Sequence, residues 1–278
     1  MNAHLRSWRF RVWAILHACI ATILCFVPLL GLLGFAFAFV IALVSSIAAT
    51  DLGCALVRRA RSQPAHPFAH GRPSGAVVSE LWGRASFTAL AILLVPLVLI
   101  SLNAFRVRNC DFGFGVRAFL AMPVLSVIYG SAVGVGLGLV AGTRRRLSLA
   151  LPYLFVVAAV VASVWRFYGA PPVFFYNPMV GFFPGNLYDE TIQFSGAFTW
   201  ARLFHFATAV SALALLARFL DVPTLSLRKR RRRPQGRRRP ETLAAVGTGL
   251  LAAALWTSSA SLGFDASAED IQTALAGH

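Results

Sequence analysis

The stretch YGSAVGVGLGLVAG, residues 129–142, has no charged residue and carries a glycine at every fourth position. These glycines are Gly130, Gly134, Gly138 and Gly142. Because residues four apart share one face of an α-helix, the spacing predicts a helix with a smooth stripe that a second helix can approach closely. Alternatively, the glycine stripe is a surface along which another helix slides, or it lines a path through the protein. Static packing is the commoner use, so we predict that this helix is central to a bundle.

The rest of the chain belongs to the same class of protein. Of its 278 residues, 58% are hydrophobic and 13% are charged, with a mean hydropathy of +0.69. Roughly 20 apolar residues cross a bilayer, and that rule predicts about seven spans. They lie near residues 12–29, 32–50, 86–104, 118–142, 147–168, 199–219 and 242–262. We therefore predict an all-α, polytopic membrane helical bundle that forms one multipass transmembrane domain over residues 1–263.

The basic residues predict the orientation of this bundle. The formal net charge is +16, and all but five of the 26 Lys and Arg residues fall on the side of the predicted bundle that holds the N-terminus. The five exceptions are Arg106, Arg108, Arg117, Arg166 and Arg202. By the positive-inside rule, the N-terminus is cytoplasmic and the C-terminus lies outside.

A run of basic residues, RKRRRRPQGRRRP, follows the sixth span. Its members are Arg228, Lys229, Arg230, Arg231, Arg232, Arg233, Arg237, Arg238 and Arg239. Such a run adds about 1 kcal/mol per residue when it lies against anionic headgroups. Nucleic acid is the other partner that clustered arginine suits. The other cytoplasmic loops show the same bias in a milder form, so we predict a bilayer with anionic headgroups as the partner and no nucleic acid.

The loop between the fifth and sixth spans, residues 169–198, contains NPMVGFFPGNLYDE at residues 177–190. Its prolines and glycines are too many for one continuous helix, and its aromatic side chains are too apolar to lie free in water. We predict a folded cap on the outer mouth of the bundle.

Polar residues are predicted to gather beneath this cap. The candidate catalytic residues are Asp189, Glu190 and His205, because carboxylates and a histidine serve as acids and bases. The candidate substrate-binding residues are Arg106, Arg108, Arg117, Arg202, Asn186 and Tyr188. The simpler alternative, which we favour, is that Asp189 or Glu190 forms an ion pair with one of the arginines and so fixes the position of the loop.

Enzyme motifs are missing from the sequence. It contains no HExxH, GxSxG or Walker motif, and no GxGxxG after a strand. The four cysteines have no metal-ligand spacing. We therefore predict no metal and no cofactor, and we do not expect this chain to be an enzyme.

The last residues, 264–278, form an acidic tail that we place outside. Within SAEDIQTALAGH, Ser267 and Asp270 have capping-box spacing, and Ile271 and Leu275 lie four residues apart. This pattern predicts the start of an amphipathic helix, and so of a further outward domain or of a contact with an extracytoplasmic partner.

Three stretches carry a resemblance to a known group: NPMVGFFPGNLYDE, the outward NCDFG loop, and LGFDASAEDIQTALAGH. Their layout resembles the N-terminal multipass region of bacterial membrane proteins whose outward part is similar to a gluzincin-type, peptidase MA-like domain. The resemblance implies an anchor or sensor in the bacterial inner membrane. The zinc-binding HExxH of that domain is absent from this chain, so no catalytic residue carries over.

Three hypotheses for the function follow from the sequence. The leading one is a non-catalytic membrane domain that anchors or regulates an outward domain or a membrane partner. The second is a permease-like transporter subunit, which requires a water-filled pathway along the glycine face. The third is a membrane enzyme, which requires Asp189, Glu190 and His205 to converge at the outer face.

Overall fold

The computed structural model describes residues 7–63, 72–108, 111–169, 175–183, 194–227 and 240–264. These residues are predominantly helical and form seven helices. The helices are α1 Trp8–Leu24, α2 Phe35–Ser62, α3 Ser74–Asn103, α4 Phe112–Ala141, α5 Arg145–Gly169, α6 Gly196–Phe219 and α7 Pro240–Thr257. Two short antiparallel hairpins join them, formed by β1 Phe175–Asn177 with β2 Gly181–Phe183 and by β3 Leu220–Asp221 with β4 Ser226–Leu227.

Five of these helices, α2 to α6, are long and apolar enough to cross a membrane. The predicted helical fold with membrane-length helices is confirmed to that extent. Each of the seven predicted spans falls on one helix, although α1 has only 17 residues. A span prediction based on hydropathy alone therefore locates the helices, although α1, with 17 residues, and α7, with 18, are not among the five.

The helix ends differ from the predicted span ends for identifiable reasons. The first predicted span continues to residue 29, whereas α1 ends at Leu24 and a turn follows in which Leu29 has a positive φ of 67°. In contrast, α2 continues to Ser62, past the predicted end at residue 50. Hydropathy falls where Asp51 and the following arginines begin, but the alanines, leucines and arginines after Asp51 are good helix formers, so the helix continues beyond the apolar run.

The glycine stripe of α4 lies against α2. A Cβ atom built on Gly130 would lie 3.0 Å from the carbonyl oxygen of Ser46, and one on Gly138 would lie 2.9 Å from the Cβ of Val57. A Cβ on Gly134 would overlap the backbone carbonyl of Thr50. The backbones of α2 and α4 are therefore in direct contact along the stripe.

The fourth residue of the predicted stripe has a different place. Gly142 ends α4 with a positive φ of 56°, a conformation that glycine adopts without a steric penalty. It is therefore the cap of the helix, one turn beyond the packed glycines.

The other helices surround the α2–α4 pair. One apolar cluster fills the space between α1, α2 and α3, with Phe37 and Ile41 of α2 fully buried in it. A second cluster joins α2, α3 and α4 to the end of α6, where Leu220 and Leu225 of the β3–β4 hairpin close it. α7 packs along α6, where Ser211 of α6 donates a hydrogen bond to the carbonyl of Ala245 on α7, 3.0 Å away.

The α2–α4 contact generates the first prediction. We expect Gly134→Ala to lower the free energy of unfolding by about 1–3 kcal/mol, because its methyl group has no space beside Thr50. Gly136→Ala is the matched control on the same helix, since its Cβ would meet only the ends of Leu216 and Leu213, 3.4 and 3.7 Å away. Thermal unfolding of the two variants in detergent measures the difference, and equal unfolding midpoints would contradict the contact.

Candidate functional site

The loop after α5 enters the bundle as the β1–β2 hairpin. Met179 at its turn is 0% exposed, and Phe182 on β2 is 4% exposed. The side-chain oxygen of Asn177 accepts hydrogen bonds from the amides of Met179 and Val180, at 2.7 and 3.2 Å, so the turn is held by its own first residue. The Asn177 amide also donates to the hydroxyl of Ser163 on α5, 2.6 Å away. This part of the predicted cap is therefore inserted among the helices.

Arg202 on α6 holds the hairpin in place. It is only 5% exposed, and its Nη1 donates to the carbonyl of Pro178 at the hairpin turn, 3.0 Å away. Its Nη2 donates to the carbonyl of Ala121 and to the hydroxyl of Ser126 on α4, each at 3.3 Å. The guanidinium also lies 5.2 Å from the centre of the Phe198 ring. A single buried cation thus joins α4, α6 and the hairpin.

Two local features make room for this guanidinium. α4 contains a π-helical segment, Leu120–Val124, in which Pro123 has no amide hydrogen to donate. Such a segment interrupts the regular pattern of helical hydrogen bonds, and within it the carbonyl of Ala121 accepts from Arg202. On the hairpin, a Cβ on Gly181 would lie 2.8 Å from Nη2 of Arg202, so this position has space only for glycine.

The charge on Arg202 is not neutralised by a carboxylate within the described part of the chain. Its contacts there are carbonyls, a hydroxyl and an aromatic ring, and its Nε has no hydrogen-bond partner among them. A buried guanidinium of this kind is suited to holding backbone oxygens in fixed positions.

His205 lies one helical turn after Arg202 on α6. Its ring contacts Tyr129, with 6.1 Å between ring centres, and Phe204, with 5.7 Å. Its Nδ1 is buried and has no hydrogen-bond partner among the described residues. The imidazole therefore lies in an aromatic environment, which disfavours its charged form.

The remaining predicted arginines lie elsewhere. Arg106 donates to Asn103 Oδ1 at 2.9 Å and to the carbonyl of Cys25, and it stacks on Phe26 at 4.6 Å. It therefore ties the end of α3 to the connection between α1 and α2, and among the described residues its contacts differ from those of Arg202. Arg108 and Arg117 are exposed.

Several predicted residues lie outside the described part of the chain. They are Asn186, Tyr188, Asp189 and Glu190 of the cap, the basic residues 228–239, and the tail from residue 265. The predicted convergence of Asp189 and Glu190 on His205, and their pairing with an arginine, therefore stay predictions.

Sequence reasoning missed a polar cluster between α1 and α2. Asp51 on α2 forms an ion pair with Arg9 and accepts a hydrogen bond from the indole of Trp13, 3.1 Å away. One turn along α1, Nε2 of His17 lies 2.9 Å from the hydroxyl of Ser45. An acidic residue inside an apolar helix is the signal that points to such a cluster, because it needs a partner within the bundle.

A second group that the sequence did not single out as a site lies at the same end of the bundle. Arg9, Arg58, Arg59, Arg61 and Arg145 line a cavity of about 590 Å³ between the start of α1, the end of α2 and the start of α5. In the sequence these arginines indicated only the orientation of the chain. The fold brings them together around one space.

Metal ligands and known relatives give no further guidance. Within the described ranges, no group of three or more His, Cys, Asp and Glu side chains is placed to hold a metal ion, and Cys19, Cys25 and Cys54 are free thiols. Comparisons with protein-family models, with curated proteins and with solved structures find no match for this chain.

The Arg202 contacts generate the second prediction. In a cysteine-free background, we expect a Val180→Cys probe to react with a maleimide about tenfold faster or more when Arg202→Gln is added, since a buried charged hydrogen bond contributes about 1.5–3 kcal/mol. Arg106→Gln is the control, because Arg106 lies at the same end of the bundle without contacting the hairpin. If both variants change the labelling rate equally, Arg202 does not hold the hairpin.

Proposed function

We propose that this chain is a multipass integral membrane protein that acts as a non-catalytic anchor or sensor for an outward domain or partner. In this proposal about seven helices cross the bilayer, the N-terminus is cytoplasmic and the C-terminus lies outside. The observation that carries the membrane part is the apolar outer surface of the long helices.

This surface is extensive on α3 and α5. Leu94 and Val98 on α3 are 59% and 53% exposed, and Leu154, Val157 and Val161 on α5 are exposed by similar fractions. These side chains lie on membrane-length helices. A helix pairs its backbone groups within its own segment, which is what suits it to hydrocarbon. A contiguous apolar surface of this kind favours lipid over water as its surroundings.

The anchoring or sensing role is supported by the way the outer loop is built. The β1–β2 hairpin is tied to α4 and α6 through Arg202, and to α5 through Asn177. A partner that contacts this loop is therefore linked to the helices through the hydrogen bonds of Arg202 and Asn177. We propose that the outward partner binds at this end of the bundle.

The two alternatives draw less support from the geometry. A permease path along the glycine face requires space there, and the α2 backbone occupies that face at Gly130, Gly134 and Gly138. A membrane enzyme requires Asp189 and Glu190 near His205, whose described neighbours are aromatic.

The outward partner that we propose follows from the sequence resemblance. The sequence resemblance makes a metallopeptidase-like domain the candidate, and it makes the bacterial inner membrane the proposed location. The basic residues 228–239 are proposed to lie against anionic headgroups on the cytoplasmic side.

Topology is the property to measure first. In a cysteine-free background, we expect Arg108→Cys and Ser267→Cys probes to react with an impermeant maleimide from outside. A Thr224→Cys probe, in the exposed turn between β3 and β4, should react only after the membrane is opened. External labelling of position 224 would overturn the orientation, and with it the outward partner.

Crosslinking tests the anchoring role separately. Phe105 follows α3 and is 91% exposed, whereas Phe87 lies within the apolar part of α3 and is 51% exposed. We expect a photo-crosslinking amino acid at position 105 to form a discrete protein adduct in cells, and the same amino acid at position 87 to form adducts with lipid only. Matching adduct patterns at the two positions would contradict a partner at the outer end.

A further inference from the structure

The arginine-lined cavity has the composition of an anion-binding site. It holds five arginines and five hydroxyl groups, the latter from Ser7, Ser62, Thr88, Thr143 and Ser148. None of its described lining residues is a carboxylate. The acidic residue nearby, Asp51, is already engaged by Arg9 and Trp13.

Two of the arginines in this cavity, Arg58 and Arg61, are held in place by oxygens that carry no formal charge. Nη1 of Arg58 donates to the hydroxyl of Ser148, 3.1 Å away. Arg61 donates to the carbonyls of Gly138, Gly142 and Leu225, which fixes its guanidinium from three sides. Carbonyls and hydroxyls satisfy the N–H groups but leave the positive charge in place.

The cations are also close enough to act on one another. Arg58 is half-buried and lies within electrostatic reach of Arg9 and Arg145, and also of the Asp51 carboxylate that Arg9 engages. Like charges gathered around a partly buried space raise the local positive potential, which attracts an anion.

Two helix starts add to this potential. Ser7, which caps the start of α1, and Arg145, the first residue of α5, both line the cavity. The amide groups at a helix start carry a partial positive charge and favour phosphate. The arginines, the hydroxyls and the helix starts therefore all favour the same kind of ligand.

We propose that this cavity binds a phosphate group, because fixed guanidinium groups match phosphate oxygens in shape and charge. The phosphate belongs either to the headgroup of an anionic phospholipid or to a small soluble compound. Leu52, Ala55, Leu56 and Ala85 form an apolar wall beside the arginines, which also suits the glycerol and acyl parts of a lipid. This site is separate from the outward partner surface and does not depend on it.

The test uses the purified full chain in a zwitterionic detergent. Dioctanoyl phosphatidylglycerol is the lipid probe, inorganic pyrophosphate is the soluble probe, and dioctanoyl phosphatidylcholine is the lipid control. The rise in the thermal unfolding midpoint with probe concentration gives an apparent Kd for each. We expect the unmodified chain to bind at least one phosphate probe saturably and phosphatidylcholine much more weakly.

Neighbouring arginines provide matched variants. Arg145 lines the cavity and Arg146 does not, although both are exposed and both begin α5. We expect Arg145→Gln to weaken binding about tenfold, the effect of losing one charged hydrogen bond, and Arg146→Gln to change it by less than about twofold. Arg59→Gln is a second variant of the cavity, for use if Arg145→Gln lowers the unfolding midpoint without ligand.

Each result of the binding test either supports or contradicts the proposed phosphate site. Saturable binding of phosphatidylglycerol alone identifies a lipid headgroup, and saturable binding of pyrophosphate alone identifies a soluble phosphate. Either result supports the site when the cavity variants weaken binding and Arg146→Gln does not. The proposal is wrong if neither phosphate probe binds saturably, if phosphatidylcholine binds equally well, or if Arg145→Gln and Arg146→Gln weaken binding equally.

Discussion

The direct contact between the backbones of α2 and α4 is the constraint on which the other features depend. It exists because Gly130, Gly134 and Gly138 carry no side chains where α2 passes. The contact fixes the position of α2 along the axis of α4. It therefore also fixes the positions of the polar residues on α2 relative to α4. Arg61 of α2 then reaches the carbonyls of Gly138 and Gly142, so the stripe that packs the bundle also shapes the arginine-lined cavity.

Both ends of the bundle use arginine to bind backbone oxygens, with different results. Arg202 is enclosed by α4, α6 and the hairpin, and an aromatic ring covers it, so its role is to hold elements together. Arg58 and Arg61 are held in a similar way, but they border an open space. The difference arises from the hairpin, which fills one end of the bundle, whereas no comparable described segment fills the other. The same kind of interaction therefore joins structural elements at one end of the bundle and borders an open, arginine-lined space at the other.

The sequence predicts the helices well because each is marked by a long apolar run that depends on no distant residue. It predicts helix ends less well, since hydropathy falls at Asp51 although α2 continues to Ser62. The insertion of the hairpin depends on Arg202 meeting Ala121 and Pro178, which are far apart in the sequence. No local pattern marks such a contact. The ion pair of Arg9 with Asp51 is the exception, because a lone carboxylate in an apolar helix already indicates a partner.

The positive-inside rule explains why the sequence alone does not distinguish the cavity arginines from other arginines on the same side. The rule counts Arg145 and Arg146 equally, because each contributes one charge on the same side of the predicted membrane. Only the fold separates them, by placing one at the cavity and the other beside it. The predicted retention on the cytoplasmic side and the proposed phosphate binding both favour arginine at this position, so neither proposal excludes the other. An arginine that orients the chain can therefore also bind a ligand, and the neighbours that share its cavity decide which arginines do so.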